Sequence, residues 1–155
     1  MPTIESLIKK TKFKDEQQKA MISVIYTANA LNNFHENYFS KHHLTVQQYN
    51  ALRILRGQYP KPATVNLIRE RMIDKMSDAS RIVERLRKGG FLNRVVSKTD
   101  KRAVDVMITQ KGLDVLSVID LDTDKTEAPT KLLSEAEAKE LSRLIGKMID
   151  ALVAE

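Results

Sequence analysis

The chain has 155 residues, no cysteine and no tryptophan, with 26 Lys and Arg against 20 Asp and Glu, a net charge of +6. This length suits a single domain whose core needs no covalent staples, and the absence of cysteine excludes disulfides, thiolate metal sites and a cysteine-oxidation switch. No run approaches the roughly 18 apolar residues of a membrane span and the amino terminus lacks a signal peptide's apolar core, so the expected location is the cytoplasm, with no membrane partner.

The first residues set Ile4, Leu7, Ile8 and Phe13 among Lys9, Lys10, Lys12 and Lys14. This short amphipathic piece reads either as a solvated arm or as a helix packed on a second subunit, because alone it buries too little to stay ordered. A long helix is predicted from Glu16 to Phe39, where Met21, Val24, Ile25, Ala28, Leu31, His35, Tyr38 and Phe39 recur at three- and four-residue steps. His35, His42 and His43 are the only histidines. They lack a third ligand at readable spacing, so no metal is expected. Thr45-Val46-Gln47-Gln48 has the form of a capping box and opens a helix to about Arg56, with Tyr49, Leu52 and Leu55 inward and Gly57 as its end. Pro60 and Pro62 keep the connection extended.

Thr64 then caps a short helix, Val65 to about Met72, with Val65, Ile68 and Met72 on one side. Its Arg69 and Arg71, with Lys75 beyond it, are either phosphate contacts or a generic charged face. The following helix places Ala79, Ile82, Val83 and Leu86 on an apolar stripe and turns Ser77, Ser80, Arg81, Glu84, Arg85 and Lys88 away from it. Gly89 and Gly90 stop it, since glycine adopts the left-handed conformation without a Cβ penalty. Two strand-like runs follow, Phe91 to Ser97 and Ala103 to Thr109, the second alternating Val104, Val106 and Ile108 with Asp105 and Met107. Between them lies the polar, basic loop Lys98-Thr99-Asp100-Lys101-Arg102. Two helices, a hairpin and a basic tip in this order make a winged helix-turn-helix.

Beyond the hairpin a helix is predicted from Lys111 to about Leu121, on Leu113, Leu116 and Ile119. Asp120, Asp122 and Asp124 do not make a calcium loop, because Lys125 and Lys131 occupy the positions of its glycine and bidentate glutamate. A solvated acidic linker punctuated by Pro129 is expected instead. Ser134-Glu135-Ala136-Glu137 is a second capping box and opens the last helix, whose Leu141, Leu144, Ile145, Met148, Ile149 and Leu152 are too apolar for an exposed terminus. Both chain ends therefore suggest a two-fold dimer built from terminal helices.

Charge points to the partner. From Arg53 to Arg102 there are 14 Lys and Arg against 5 Asp and Glu, a net of +9 within a chain of net +6, which leaves −3 elsewhere. Concentrated basicity on a helix that fits the major groove is the electrostatic footprint of duplex DNA binding. Ser77, Asp78, Ser80, Arg81 and Arg85 are the expected contacts to bases or nearby phosphates. Lys98, Lys101 and Arg102 are those of the hairpin tip, with Arg102 entering or flanking the minor groove and Asp100 orienting it by a charge-assisted hydrogen bond.

The same stretch resembles the MarR family of bacterial transcription regulators. The resemblance rests on Ser80-Arg81-Ile82-Val83-Glu84-Arg85-Leu86, Gly90-Phe91-Leu92-Asn93-Arg94, Asp100-Lys101-Arg102 and Ile108-Thr109-Gln110-Lys111-Gly112, four ordered pieces at matching separations. Gly89 stands where the family more often has a polar or charged residue, which implies a looser join between helix and wing, and Ile108 replaces the usual leucine. The resemblance implies a mainly α fold with a small β wing (α+β), in which residues 45–110 form the DNA-binding lobe and residues 1–44 and 111–155 the dimerisation helices. It also implies a homodimeric repressor that binds an inverted-repeat operator, with DNA affinity lowered by a small aromatic or anionic effector held between those parts. The implied effector lining is the long first helix, the Thr45 helix and the Lys111 helix, near Tyr38 and Tyr49. Tyrosines at helical spacing are more often core, so no effector residue is assigned.

The competing reading is a winged-helix module that binds protein rather than DNA, which would need an apolar patch where the sequence offers arginine, serine and glutamate. An enzyme is not expected: there is no glycine-rich phosphate loop, no cysteine nucleophile, and no histidine with evident carboxylate and serine partners. No cofactor is expected.

Overall fold

The computed structural model describes residues 2–9, 12–96 and 104–154. The chain divides into two compact units, Met1–Ser117 and Val118–Glu155.

In the first unit, α1 (Ile4–Ile8) is capped by Thr3, and its Glu5 pairs with Lys19 at 2.6 Å, which ties the amino-terminal segment to α2 (Glu16–Ser40) of its own chain. Asp15 caps α2 by accepting the Gln18 N–H at 2.7 Å. At the far end of α2, Tyr38 and Phe39 are buried, and the Phe39 ring stacks on Tyr49 of α3 (Val46–Gln58) with centroids 4.0 Å apart. The predicted capping box is present: Thr45 Oγ1 accepts the Gln48 N–H at 3.2 Å and Gln48 Oε1 accepts the Thr45 N–H at 2.9 Å. Gly57 does not end α3. The helix runs to Gln58 and stops at Tyr59, whose ψ of 136° is the extended conformation that a following proline imposes.

A two-residue strand, β1 (Ala63–Thr64), precedes α4 (Val65–Arg71), and Thr64 also caps α4 by accepting the Leu67 N–H at 3.0 Å. The recognition helix α5 (Ala79–Lys88) leads into the hairpin of β2 (Leu92–Val96) and β3 (Val104–Ile108). The sheet order is β1-β3-β2, all antiparallel, with Ala63 opposite Val106 and Leu92 opposite Ile108. The winged helix thus carries a third strand that sequence alternation did not reveal. Leu52 and Leu55 of α3, Ile68 of α4, Met72, Leu86 of α5, Leu92, Val106 and Leu116 of α6 (Gln110–Leu121) are fully buried and form the core that holds α5.

The join between α5 and the wing corrects one expectation. Only Gly90 is left-handed, at φ 76°, whereas Gly89 keeps helical geometry at φ −76°. A Cβ on Gly89 would stand 2.9 Å from the Phe91 ring, so Gly89 lets that ring close on the backbone instead of loosening the join. The Phe91 N–H donates to Leu86 O at 2.9 Å and Thr109 Oγ1 donates to Gly90 O at 2.7 Å. Lys111 donates to Gly89 O at 2.8 Å from above the Phe91 ring, 4.6 Å from its centroid.

In the second unit the predicted acidic linker contains a helical turn, α7 (Thr123–Thr126), with Asp122 paired to Lys125 at 3.0 Å and Asp124 paired to Lys131. Asp122 finds Lys125 one helical turn away, which favours a helical turn over a solvated coil. The Ser134 capping box is present, Ser134 Oγ accepting the Glu137 N–H at 3.3 Å, and opens α8 (Glu135–Val153). No helix among the described residues is long and apolar enough to cross a membrane.

Gly112 tests how tightly the join is packed. A Cβ there would fall 2.5 Å from the Phe91 carbonyl oxygen and 2.6 Å from Ile108 Cγ1, both held by the sheet. Gly112→Ala should therefore lower unfolding stability by about 1 to 3 kcal/mol in urea titration, even though alanine is the better helix former.

Candidate nucleic-acid interface

Ala79, Val83 and Leu86 anchor α5 in the core, and this fixes its opposite face outward. Ser80, Arg81, Arg85 and Lys88 are exposed there. Ser77 and Asp78, two of the expected contacts, are engaged locally. Ser77 Oγ donates to Asp74 Oδ2 at 2.8 Å, and Asp78 Oδ1 accepts the Arg81 N–H at 3.0 Å as the N-cap of α5. They build the turn and start the helix, so that Ser80, Arg81 and Arg85 are the polar groups it presents. Lys75 donates to Glu70 O at 2.5 Å, while Arg69 and Arg71 are exposed on α4.

The arginines of this region fall into two sets. Among the described residues neither Arg81 nor Arg85 has an ion-pair partner. Arg87 is held fork to fork by Glu84, Nε to Oε2 at 3.0 Å and Nη2 to Oε1 at 2.8 Å, and Arg94 of β2 reaches the same Oε2 at 3.2 Å. The hydrogen bonds from Arg87, with the positive charges of Arg87, Arg94 and Lys88, hold the Glu84 carboxyl down at about 2. Glu84 therefore braces α5 to the wing strand, a role not legible from its place on the helix alone.

Arg81 and Arg85 line an open depression of about 350 Å³, across which stand Thr45 and Gln47 from the start of α3. Gln48 lines it too, but its side chain is spent in the capping box. Gln47 is the addition: in sequence it was one residue of a capping box, and only the fold sets it opposite α5. The wing-tip residues Lys98, Asp100, Lys101 and Arg102 lie outside the described residues.

A second, larger cleft of about 660 Å³ runs between α2, α3 and the turn at residues 72–74. None of its described lining residues comes from the Lys111 helix, and neither Tyr38 nor Tyr49 contributes. Those tyrosines pack around Phe39. Among the described residues no group of three or more His, Asp or Glu is placed to hold a metal ion.

A core-anchored recognition helix, a capped helix crossing behind it and a three-stranded wing define a winged helix-turn-helix protein. No protein-family model matches the chain. The HTH-type transcriptional regulator MgrA of Staphylococcus aureus is 27% identical over 136 residues, spanning 87% of this chain and 90% of MgrA. A MarR transcription factor from Planctomyces limnophilus superposes with a TM-score of 0.65 at 27% identity, covering 88% of this chain and 98% of that one. The C80S MarR of E. coli, solved with operator DNA, shares the fold with a TM-score of 0.74 at 20% identity, covering 89% and 99%. The chain has a winged helix-turn-helix fold, and in sequence and fold it is similar to transcription regulators that include a MarR transcription factor.

The Glu84 brace has a pH signature. A carboxyl held below its ordinary value of 4.5 contributes stability that is present above that value and is lost as pH falls through about 2. The gap in urea midpoint between the parent protein and Glu84→Gln should be constant above pH 4.5 and narrow progressively as pH falls toward 2. A gap that did not change with pH would show that the two arginines do not hold the carboxylate.

Proposed function

We propose that the protein is a dimeric, sequence-specific regulator of transcription that acts in the cytoplasm and reads duplex DNA with α5 in the major groove. It represses from an inverted-repeat operator, and a small-molecule effector lowers its affinity. The observation that carries this reading is the outward pair Arg81 and Arg85, free of ion-pair partners among the described residues, on a helix whose opposite face is locked in the core. A guanidinium without an internal partner keeps its fork for guanine edges or phosphate. The net of +9 between Arg53 and Arg102 supplies attraction to the backbone. Residues 45–110 then form the DNA-binding lobe and residues 1–44 and 111–155 the dimerisation helices. Arg102, with Lys98 and Lys101, extends the contact into or along the minor groove, and Asp100 orients Arg102.

Support for the dimer comes from apolar surface. Leu141, Leu144, Met148, Ile149 and Leu152 along α8 are 37% to 78% exposed, and Met21 and Ile25 on α2 are 49% and 54% exposed. Such stripes are costly to leave in water. Two-fold pairing sets half-sites about one helical turn apart, roughly 10 to 10.5 base pairs.

Selecting bound sequences from a random duplex library, then measuring anisotropy on the recovered site, tests the reading. Arg81→Ala should cost about 1 to 3 kcal/mol and relax preference at one position, whereas Arg102→Ala should weaken all duplexes alike and flatten the salt dependence. Parent-like binding by both variants, or affinity indifferent to salt, would leave a protein-binding module as the better account. Leu144→Asp should convert the dimer to monomer in sedimentation and lower affinity for a two-half-site duplex on the order of 100-fold.

A further inference from the structure

We infer that Met76, on the turn before α5, reads the 5-methyl group of a thymine, so that one position of each half-site is chosen by an apolar contact beside the arginine contacts. The inference rests on the DNA-binding reading and adds to it the base that this turn selects. Met76 is 93% exposed, the highest value for any large hydrophobic side chain among the described residues. Single exposed apolar residues are common on protein surfaces, so it is the place of this one that gives it a task. Asp74 and Ser77, on either side of it in the chain, line the depression in front of Arg81 and Arg85, and Asp78 caps α5 two residues further on. In a helix-turn-helix the start of the second helix is the part that meets base edges. The apolar stripes that support a dimer lie on α2 and α8, whereas Met76 sits within the segment of net charge +9, beside Lys75 and near Arg81. A polyanion suits that setting better than a second apolar surface.

The turn holds Met76 ready. Asp74 Oδ1 accepts the Met76 N–H at 3.0 Å, its Oδ2 accepts the Ser77 hydroxyl at 2.8 Å, and its backbone oxygen accepts the Ser77 N–H at 3.2 Å. The backbone is therefore ordered before DNA arrives, and binding has only the side chain's rotamers to fix. Lys75 donates to Glu70 O, Ser77 donates to Asp74, and Asp78 accepts the Arg81 N–H. Met76 is thus the side chain of residues 75–78 with no hydrogen bond among the described residues, and what it brings to a base edge is apolar contact. The major-groove edges of all four bases carry donors or acceptors, but only thymine adds an apolar group, its 5-methyl. An unbranched, polarizable thioether with three rotatable bonds adapts to that methyl. Cytosine in its place would turn an amino group toward a side chain that cannot accept it well, and burying that group unpaired is costly.

Anisotropy on the selected duplex, with deoxyuridine replacing each thymidine in turn, tests this by removing one methyl at a time while keeping every hydrogen-bonding group. At one thymine per half-site the full-length parent should lose about threefold in affinity with the methyl, the scale of one buried methyl group. Met76→Ala, at an exposed position, should leave the urea midpoint unaltered, bind the thymine duplex about threefold more weakly and lose nothing further on uracil there. Met76→Leu should keep the parent's dependence on the methyl. With cytosine at that position, adding a 5-methyl group should restore part of the parent's affinity and none of the alanine variant's. A dependence on the methyl that persists in Met76→Ala would assign the contact to another residue and overturn the inference. Sequence-specific binding by the parent with no methyl-sensitive thymine would overturn this inference alone, whereas a parent that binds no duplex would overturn the DNA-binding reading and this one with it.

Discussion

Three chain segments meet at Phe91, and the space they leave one another decides how the recognition helix is aimed. Gly89 lets the Phe91 ring fold against the end of α5, Gly90 supplies the left-handed turn, and Gly112 lets the start of α6 approach the Phe91 carbonyl. A side chain at either Gly89 or Gly112 would enter space already occupied at 2.9 Å or less. The Arg85, Leu86 and Arg87 carbonyls accept the Gly89, Phe91 and Gly90 N–H groups, and the Gly89 and Gly90 carbonyls just beyond the helix accept from Lys111 and Thr109. With β2 hydrogen-bonded to β3, and β3 to β1 at the start of α4, the two helices of the reading lobe and its wing are tied by backbone as well as by core.

On that frame electrostatics divides the basic residues by task. Glu84 takes Arg87 and Arg94 and uses them to brace helix against strand, and Arg81 and Arg85 are left on the open face. Removing Glu84 would increase the positive charge of the surface while releasing Arg94 of the wing strand. Asp78 stands among these cations without contradiction. Its negative charge lies at the positive end of the α5 dipole, where it costs least, and its oxygen is committed to the Arg81 N–H.

Patterns that depend on neighbours in the chain were legible in the sequence. Both capping boxes, the Thr64 cap, the apolar stripe of α5 and the alternation of β3 follow from spacing, and all are present. β1 escaped because two residues are too few to show a period of two, and Thr64 signalled only its cap. Gly57 misled because a glycine ends a helix only where the chain must turn, and here Pro60 sets the stop. The reach of Arg94 to Glu84 and the position of Gln47 opposite α5 depend on which side chains the fold brings together, and spacing along one helix does not contain that. The duties of Ser77 and Asp78 are local, with Asp78 three residues before Arg81 at the spacing of an N-cap, and were missed because both were assigned to the outward face.

The two ends of α5 are held by different means. Its C-terminal end is fixed by the packing around Phe91 and by the bonds from Phe91, Thr109 and Lys111, whereas its N-terminal end is packed through Ala79 and Val83 and is further held by short side-chain bonds from Asp74 and Asp78 and the reach from Asn50. A tilt of α5 about a pivot near Gly89 would move its N-terminal end most. At 1.5 Å per residue Arg81 lies about 12 Å from that pivot and Arg85 about 6 Å, so a tilt of about 10° moves them by about 2 Å and 1 Å. Bidentate recognition of a base edge tolerates only about 0.5 Å of misplacement, while a phosphate contact made through a long side chain absorbs more. If Arg81 reads a base as proposed, a small disturbance at the turn would remove that reading before it removed attraction to the DNA backbone.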